Sequence, residues 1–143
     1  MNTPVIGHAE TDADIRACFP VMSQLRPHVS ENELLAAVQR MRGEGYKVVA
    51  LSVDGKVEAV AGYRIIEMLR TGSMLEIDDL VTSDATRSKG YGRQLFDWIH
   101  QEARHQGCSV IELDSSVHRV DAHRFYFRQR MHILAFHFSM AVT

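Results

Sequence analysis

The chain has 143 residues, of which 45% are hydrophobic and 24% are charged, a composition typical of one globular domain over residues 1–143. Its formal net charge of −2 argues against a nucleic-acid partner, because such proteins are usually basic. No apolar run is long enough to span a bilayer, and the N-terminus lacks the basic and apolar segments of a secretory signal. The two cysteines are far apart and fit free thiols in a reducing compartment. We therefore expect a cytoplasmic protein with no membrane partner.

The first part of the chain predicts a short strand followed by two helices. Residues 5–9 read as the strand, and an acidic first turn predicts a helix over residues 12–24. Pro20 predicts a break or kink within that helix. A Ser-x-x-Glu capping box then opens a second helix over residues 31–42.

Three strands are predicted next. Residues 46–53 and 56–69 are rich in apolar and β-branched residues, and an Asp-Gly pair between them indicates a tight hairpin. The second of these strands is long enough to carry a bulge near Gly62. A further strand is predicted over residues 74–81.

A loop with two glycines separates this strand from a helix predicted over residues 92–105. Gly90 and Gly92 allow backbone dihedrals that a side chain would forbid, and they let a ligand approach the backbone closely. The first turn of the helix has unpaired N–H groups and a positive dipole end. Three basic side chains add formal charge: Arg87, Lys89 and Arg93. This combination is typical of a pyrophosphate site, although the P-loop and dinucleotide-binding patterns are both absent.

The remaining chain predicts a strand over residues 109–114, a helix over residues 120–130 and a final strand over residues 132–142. The predicted order is therefore β-α-α-β-β-β-α-β-α-β. Antiparallel hairpins followed by βα crossovers indicate an α/β protein with a mixed sheet.

The loop pattern Arg87-x-x-Gly90-x-Gly92, between a strand and a helix, resembles the acyl-CoA loop of the GNAT superfamily of N-acetyltransferases. Residues 121–126 resemble a second motif of that superfamily, Ala-x-x-(aromatic or aliphatic)-Tyr. Many members continue with a Gly-Phe pair, whereas residues 130–131 of this chain are Arg-Met. The resemblance implies the GNAT acyl-CoA N-acyltransferase fold, and the element order agrees with it.

The resemblance also implies acetyl-CoA as the co-substrate. The main chain near Leu80 would polarise the thioester carbonyl, and the same strand would pair with the pantetheine arm. Main-chain groups of the glycine loop would bind the pyrophosphate, while Arg87 would support either the loop or the phosphates. The implied CoA-binding residues are Leu80, Val81, Arg87, Ser88, Lys89, Gly90, Tyr91, Gly92 and Arg93.

The strand before the loop offers candidates for a catalytic base. Glu76 and Asp78 are two positions apart, which predicts that they share one face with Leu80 while Asp79 points the other way. The position of Glu76, sixteen residues before Gly92, resembles that of the glutamate base in histone acetyltransferases of the superfamily. Three acids close together on an inner strand would be costly to bury without partners or a cleft. The alternative for Glu76 is a solvated residue on a half-exposed strand.

Tyr126 is the candidate general acid, because the resemblance puts it at the superfamily's usual tyrosine. Its phenol would protonate the departing thiolate. The alternative is that Tyr126 packs against the sheet together with its two phenylalanine neighbours. Neither Cys18 nor Cys108 lies where we expect a covalent nucleophile, which favours direct transfer in a ternary complex.

The histidine spacings match no zinc pattern, so we expect no metal. We expect a small-molecule or peptide amine as the acceptor, and the sequence leaves it open among a protein lysine, an N-terminal amine, a polyamine, an antibiotic and an amino acid. Members of the superfamily often dimerise, which leaves a homodimer open. Two other interpretations remain: a CoA-binding regulatory or interaction module without turnover, and a protein-interaction domain whose glycine loop is purely structural.

Overall fold

The computed structural model describes residues 2–143 of the chain. These residues form five strands and four helices, with short 3-10 turns at Arg42–Glu44 and Asp84–Thr86. In chain order the elements are β1 (Val5–His8), α1 (Asp12–Leu25), α2 (Glu31–Met41), β2 (Lys47–Val53), β3 (Lys56–Met68), β4 (Gly72–Thr82), α3 (Tyr91–His105), β5 (Val110–Leu113) and α4 (Val120–Arg128).

The predicted final strand over residues 132–142 is wrong. Residues 131–143 carry no regular secondary structure. A strand is defined by the backbone hydrogen bonds that it exchanges with a neighbouring strand, and an alternating sequence pattern alone does not supply them. The preceding helix also ends two residues earlier than predicted, because Arg130 takes a left-handed φ of 67° and Met131 N–H closes the helix on the Tyr126 carbonyl.

Pro20 does not interrupt α1, which continues through it to Leu25. Both helices at the start of the chain have the capping boxes that stabilise their first turns. In α1 the Thr11 hydroxyl accepts from the Asp14 N–H at 3.1 Å, and in α2 the Ser30 hydroxyl accepts from Glu33 in the same way. These local bonds fix the helix starts close to the predicted positions.

The five strands form one sheet in the order β1-β2-β3-β4-β5. β1 to β4 pair antiparallel, and β5 lies at the edge next to β4. Val48, Val60 and Val81 belong to a core that α1 and α2 cover on one face. Because successive side chains alternate between faces, buried neighbours such as Val49 and Ala61 point to the opposite face, where α3 packs.

An extra residue in β4 shifts its register against β3. Gly62 pairs with Asp79. The next pair joins Tyr63 to Ile77, so Asp78 is an additional residue on the β4 side. The predicted bulge near Gly62 is therefore confirmed in position, with the inserted residue in the neighbouring strand. Such a bulge bends the strand and redirects its side chains.

The chain divides into two compact units. The first ends at Glu112 and contains α1 to α3 with nearly all of the sheet. The second is Leu113–Thr143 and contains α4. The single domain expected from the chain length stays a prediction.

One ion pair within the first unit joins the turn after β3 to β5. The Arg70 guanidinium donates to both carboxylate oxygens of Glu112, at 2.9 and 2.7 Å. Hydrogen bonds from Arg70 hold the pKa of Glu112 below its ordinary value of 4.5. A lowered pKa in the folded state adds stability that is present above the unfolded pKa and lost as the pH falls through the folded one.

Glu112→Gln is therefore expected to unfold at lower urea concentration than the wild type near neutral pH, with a smaller difference at an acidic pH below 4.5, the ordinary pKa of this carboxyl. Urea titrations at the two pH values measure this. Arg70→Gln should reproduce the same pH dependence, since it removes the other partner. A difference of equal size at both pH values would show that charge is not its cause.

Candidate active site

The N-terminus of α3 presents unpaired backbone N–H groups. Gly90 is its cap residue, in a left-handed conformation with φ 82° and ψ 11°, and no side chain caps the helix. The Gly90 carbonyl already accepts from Gln94 N–H at 3.0 Å. The N–H groups of Tyr91, Gly92 and Arg93 therefore have no acceptor within the helix. The first turn also contains no acidic residue, which leaves the positive end of the helix dipole uncompensated.

The loop before this helix is exposed, and two of its residues have positive φ angles. Ser88 has a positive φ of 71°, two residues before Gly90. Closely spaced left-handed residues turn neighbouring N–H groups into a concave anion site. Lys89 and Arg93 are exposed beside it. Arg87 pairs with Asp84 at 2.6 Å, and both side chains are exposed, so its role toward phosphate stays a prediction.

The base of the loop is held by residues that the sequence analysis missed. Glu58 is only 6% exposed, and its carboxylate accepts from the Thr86 hydroxyl at 2.7 Å. Its carbonyl accepts from Ser83 N–H, also at 2.7 Å. Gln24 at the end of α1 donates to the Thr82 carbonyl and accepts from the backbone N–H that begins the 3-10 turn. The sequence does contain a signal for Glu58, because it is a charged residue within an otherwise apolar stretch of β3.

The bulge changes which residues of β4 share a face. Asp79 pairs with Gly62, and Leu80 with Ala61, so these two residues of β4 point to opposite faces. Asp79 contacts Tyr46, which belongs to the core beneath α1. The expectation that Asp79 points away from Asp78 is therefore wrong, as is the expectation that Leu80 shares their face. The extra residue reverses the alternation that simple counting assumes.

The predicted base candidates lie near an arginine. Arg64 pairs with Glu76 across the ladder. Its Nε donates to Asp78 Oδ2 at 2.7 Å, and the same guanidinium lies 3.3 Å from Glu44. Arg64 also lies over the Tyr46 ring, 5.4 Å from its centroid. Its pKa is raised above the ordinary value by the hydrogen bond to Asp78.

A second arginine and a buried tyrosine hold Asp79. Arg26, at the end of α1, donates to Asp79 Oδ1 at 3.0 Å and to the Asp78 carbonyl at 3.1 Å. The Tyr46 hydroxyl donates to Asp79 Oδ2 at 2.6 Å. Burial and, after it, the Asp79 charge raise the pKa of Tyr46 above its ordinary value, so this phenol stays a donor. Both bonds fix the backbone of the bulge from the α1 side of the sheet.

Gly62 is needed because Tyr46 passes directly over it. A Cβ at this position would overlap the Tyr46 hydroxyl and lie 2.7 Å from Asp79 Oδ2. We expect Gly62→Ala to lower the free energy of unfolding by about 1–3 kcal/mol, the usual cost of overpacking a core. Urea denaturation measures this change.

The matched test combines Gly62→Ala with Tyr46→Leu, because the added Cβ would overlap both the Tyr46 hydroxyl and the ring carbon that bears it. The loss in free energy of unfolding should be smaller in the double variant than the sum of the losses in the two single variants, because residues 46 and 62 are in contact. Strict additivity of the two losses would contradict the proposed contact.

Tyr126 lies in α4, in the second unit, where it is half-buried. Its ring meets Phe125 edge to face at a centroid distance of 5.7 Å. Burial raises its pKa, and the positive charge of Arg119 partly opposes this shift. Its catalytic role stays a prediction.

Two of the predicted CoA-binding residues lie near the end of β4, where Val81 is buried and Leu80 is half-buried.

Residues 2–143 contain no group of three or more histidine, cysteine or carboxylate side chains placed to hold a metal ion. The cysteines in this range are free thiols. Among the described helices, none is long and apolar enough to cross a bilayer.

The sequence profile of the acetyltransferase (GNAT) family matches residues 11–132 of this chain. An uncharacterized N-acetyltransferase of Bacillus subtilis, YhdJ, is 36% identical over 109 residues, which cover 76% of this chain and 77% of that protein. The aminoalkylphosphonate N-acetyltransferase of Salmonella typhimurium is 39% identical over 67 residues, covering 47% of this chain and 44% of that protein.

Solved structures support the same fold. A transcriptional regulator from Bacillus halodurans superposes with a TM-score of 0.86 at 18% identity, covering 97% of this chain and 99% of that one. The aminoglycoside N-acetyltransferase AAC(6')-Iy, solved in complex with CoA, gives a TM-score of 0.86 at 13% identity and covers 100% of this chain and 97% of that one. At these identities the likeness concerns the fold alone, and it confirms the predicted α/β fold class.

Proposed function

This chain belongs to the acetyltransferase (GNAT) family, as its sequence predicted, and from that premise we propose that it acetylates the primary amine of a small molecule or peptide. It is an acetyl-CoA-dependent enzyme. The acetyl group passes directly from the CoA thioester to the amine while both substrates are bound. The observation that carries the CoA half of this proposal is the uncapped N-terminus of α3 after left-handed Gly90.

The pyrophosphate of acetyl-CoA is assigned to the loop over residues 88–93. Anions bind well at a helix N-terminus because unpaired N–H groups and the helix dipole act together. Side-chain caps would compete for the same N–H groups, and α3 has none. Glu58 and Gln24 keep the loop in place through its neighbours Thr86 and Thr82. These anchors reduce the ordering that the ligand must otherwise impose.

The thioester is assigned to the end of β4 after the bulge. A bulge leaves local backbone groups out of the ladder, and a free N–H near Leu80 would polarise the thioester carbonyl. Leu80 and Val81 would pair with the pantetheine arm through their main chain. The Arg26 contacts with Asp78 and Asp79 would keep this backbone in one position.

The acids of β4 are assigned to the acceptor amine. The amine must be neutral to attack, so a carboxylate must accept its proton, directly or through water. Asp78 is a quarter exposed, and its Oδ2 accepts from Arg64, which leaves its other oxygen to accept a proton. Glu76 is the second candidate, in register with the same arginine. A cluster of acids also attracts a cationic substrate.

In the transfer step the amine nitrogen forms a bond to the thioester carbon. The C–S bond then breaks, and its electron pair leaves on the CoA sulfur. Tyr126 would donate the proton that this thiolate takes up. A phenol with a pKa raised by burial is protonated at neutral pH, as a general acid must be.

The test is a calorimetric titration with acetyl-CoA, followed by a panel of amines assayed for CoA release. The panel contains an aminoalkylphosphonate, an aminoglycoside, a polyamine, free amino acids and a lysine peptide. CoA is quantified by chromatography, because the half-buried thiol of Cys108 would react with a thiol reagent. NAD and ATP are titrated as control ligands.

Amine-dependent CoA release would support the proposal. Tight acetyl-CoA binding without turnover on any amine would favour a CoA-binding regulatory module instead. Absence of acetyl-CoA binding by the folded protein would overturn the assignment of the α3 site.

A further inference from the structure

The last turn of α1 sends two side chains to the two ends of one main-chain segment. That segment runs from Asp78 in the bulge of β4 to Asp84 at the start of the 3-10 turn. Arg26, the C-cap residue of α1, contacts its beginning, and Gln24 contacts its end. The helix turn itself is fixed, because the Arg26 N–H donates to the carbonyl of buried Met22 at 2.9 Å.

Arg26 holds two consecutive residues of the bulge with one guanidinium. Its Nη2 donates to the Asp78 carbonyl at 3.1 Å, and its Nε donates to Asp79 Oδ1 at 3.0 Å. A peptide unit is planar, so the bond to the Asp78 carbonyl also fixes the direction of the Asp79 N–H. The Asp79 carboxylate is only 12% exposed, and the Tyr46 hydroxyl holds its other oxygen at 2.6 Å. Both the main chain and the side chain of Asp79 are therefore anchored.

These anchors limit the dihedral angles of Asp79. The next peptide unit carries the Leu80 N–H, and the direction of that N–H depends on φ and ψ of Asp79, since the peptide bond itself does not rotate. A donor that polarises a thioester carbonyl is effective only when it is aimed in advance at the oxygen where charge develops. Arg26 would therefore act on the reaction through the main chain near Leu80.

Gln24 holds the other end of the segment with a single amide group. Its Nε2 donates to the Thr82 carbonyl at 2.8 Å, and its Oε1 accepts from the Asp84 N–H at 3.0 Å. Both partners are main-chain groups, so the amide fixes the path of the chain as it leaves β4 for the loop before α3. Loss of this amide would loosen the approach to residues 88–93, while the bulge keeps its own anchors.

We propose that the end of α1 is the positioning element of the acyl-CoA site, with Arg26 setting its thioester end and Gln24 its pyrophosphate end. This inference rests on the proposed function, which assigns those two groups of acetyl-CoA to the two ends of the segment. One ligand must reach both ends, so it binds in a reactive geometry only if their separation is kept. Two positioning residues on one helix turn keep that separation before the ligand arrives, which lowers the cost of ordering.

Arg26→Lys tests the thioester end. Lysine keeps a positive charge beside Asp79 but lacks the planar fork that reaches two acceptors at once. We expect kcat to fall at least about 10-fold with the acetyl-CoA Kd unchanged within about threefold, because a small misplacement of the reacting groups slows transfer strongly. The matched control is Arg16→Lys in the same helix, whose partner Glu31 is on the surface at 3.1 Å.

Gln24→Ala tests the pyrophosphate end. We expect the acetyl-CoA Kd to rise about 10-fold, because two main-chain hydrogen bonds that keep the loop in place are lost. At saturating acetyl-CoA, kcat should stay within about threefold of the wild type, since Arg26 still holds the bulge. The matched control is Gln39→Ala, whose amide donates to exposed Asp12 at 3.2 Å.

The NMR shift of the Leu80 amide proton is a readout that needs no acceptor amine. In the wild type, acetyl-CoA should move this resonance further than CoA does, because CoA has no thioester carbonyl to accept from the N–H. The difference between the two ligands should shrink in Arg26→Lys and persist in Gln24→Ala at saturating ligand. Thermal unfolding checks that each variant is folded.

The outcomes separate this inference from the proposed function. Wild-type behaviour of Arg26→Lys, or equal losses of kcat and affinity in both variants, would overturn the inference and leave the proposed function standing. If the wild type binds acetyl-CoA without turning over any amine, the Leu80 shift decides, and a full shift in Arg26→Lys would overturn the inference. A folded wild type that binds no acetyl-CoA would overturn both.

Discussion

Gly92→Glu is expected to weaken acetyl-CoA binding at least about 100-fold while leaving the protein as stable as the wild type or more so. Gly92 lies in the first turn of α3, where a carboxylate interacts favourably with the helix dipole and glycine is a poor helix former. The same carboxylate would stand close to the pyrophosphate. Two like charges about 4 Å apart repel by about 4 kcal/mol at the effective dielectric of a protein surface.

This prediction combines weaker acetyl-CoA binding with unchanged or higher stability of the free protein. Calorimetric titration measures the affinity, and thermal unfolding without ligand measures the stability. Gly92→Gln is the matched control, because it adds similar bulk without charge and should lose less affinity. Equal losses in the two variants would mean that bulk rather than charge opposes the ligand. Unchanged affinity in Gly92→Glu would exclude this helix end as the pyrophosphate site.

Tyr126→Phe is expected to lower kcat about 100-fold with little change in acetyl-CoA affinity. The substitution removes the one proton that Tyr126 would donate to the departing thiolate, and general acid catalysis contributes about 10²–10⁴-fold in enzymes. Because burial raises the pKa of this phenol above its ordinary value of 10, the wild-type rate should not fall at alkaline pH until above pH 10.

Steady-state kinetics on the amine found by the panel, together with acetyl-CoA titration, separate these effects. Phe127→Leu is the control in the same helix, since it also alters an aromatic side chain but removes no proton donor. A kcat for Tyr126→Phe within a few-fold of the wild type would favour the packing role of this residue. A parallel loss of acetyl-CoA affinity would mean that the ring binds the ligand rather than donating a proton.

Features that depend on neighbours in the chain could be predicted from the sequence. The two capping boxes act over three residues, and the helices begin where those patterns place them. The left-handed conformation of Gly90 and the start of α3 directly after it follow from glycine's lack of a Cβ and from the unpaired first turn. The family assignment rested on this local motif, and the comparisons confirm it.

The arrangement of the acids on β4 could not be predicted in the same way. Alternation along the sequence assigns Asp79 and Leu80 to the correct faces only where two strands pair without a bulge. Here Asp78 is an extra residue in β4. The insertion is visible only in the pairing with β3. The partners Arg26 and Tyr46 lie 53 and 33 positions from Asp79, so no local pattern connects them.

The C-terminal segment, residues 131–143, shows what a local sequence pattern can and cannot predict. Its alternating apolar residues set which face would be buried, and that follows from the sequence alone. Whether a strand forms depends on a second strand that supplies hydrogen bonds, and that partner is a matter of tertiary or quaternary contact. By itself the sequence determined the helix caps, the glycine loop and the family. The tertiary structure decided the bulge and the anchoring of the loop by Glu58, because each depends on residues that meet only after folding.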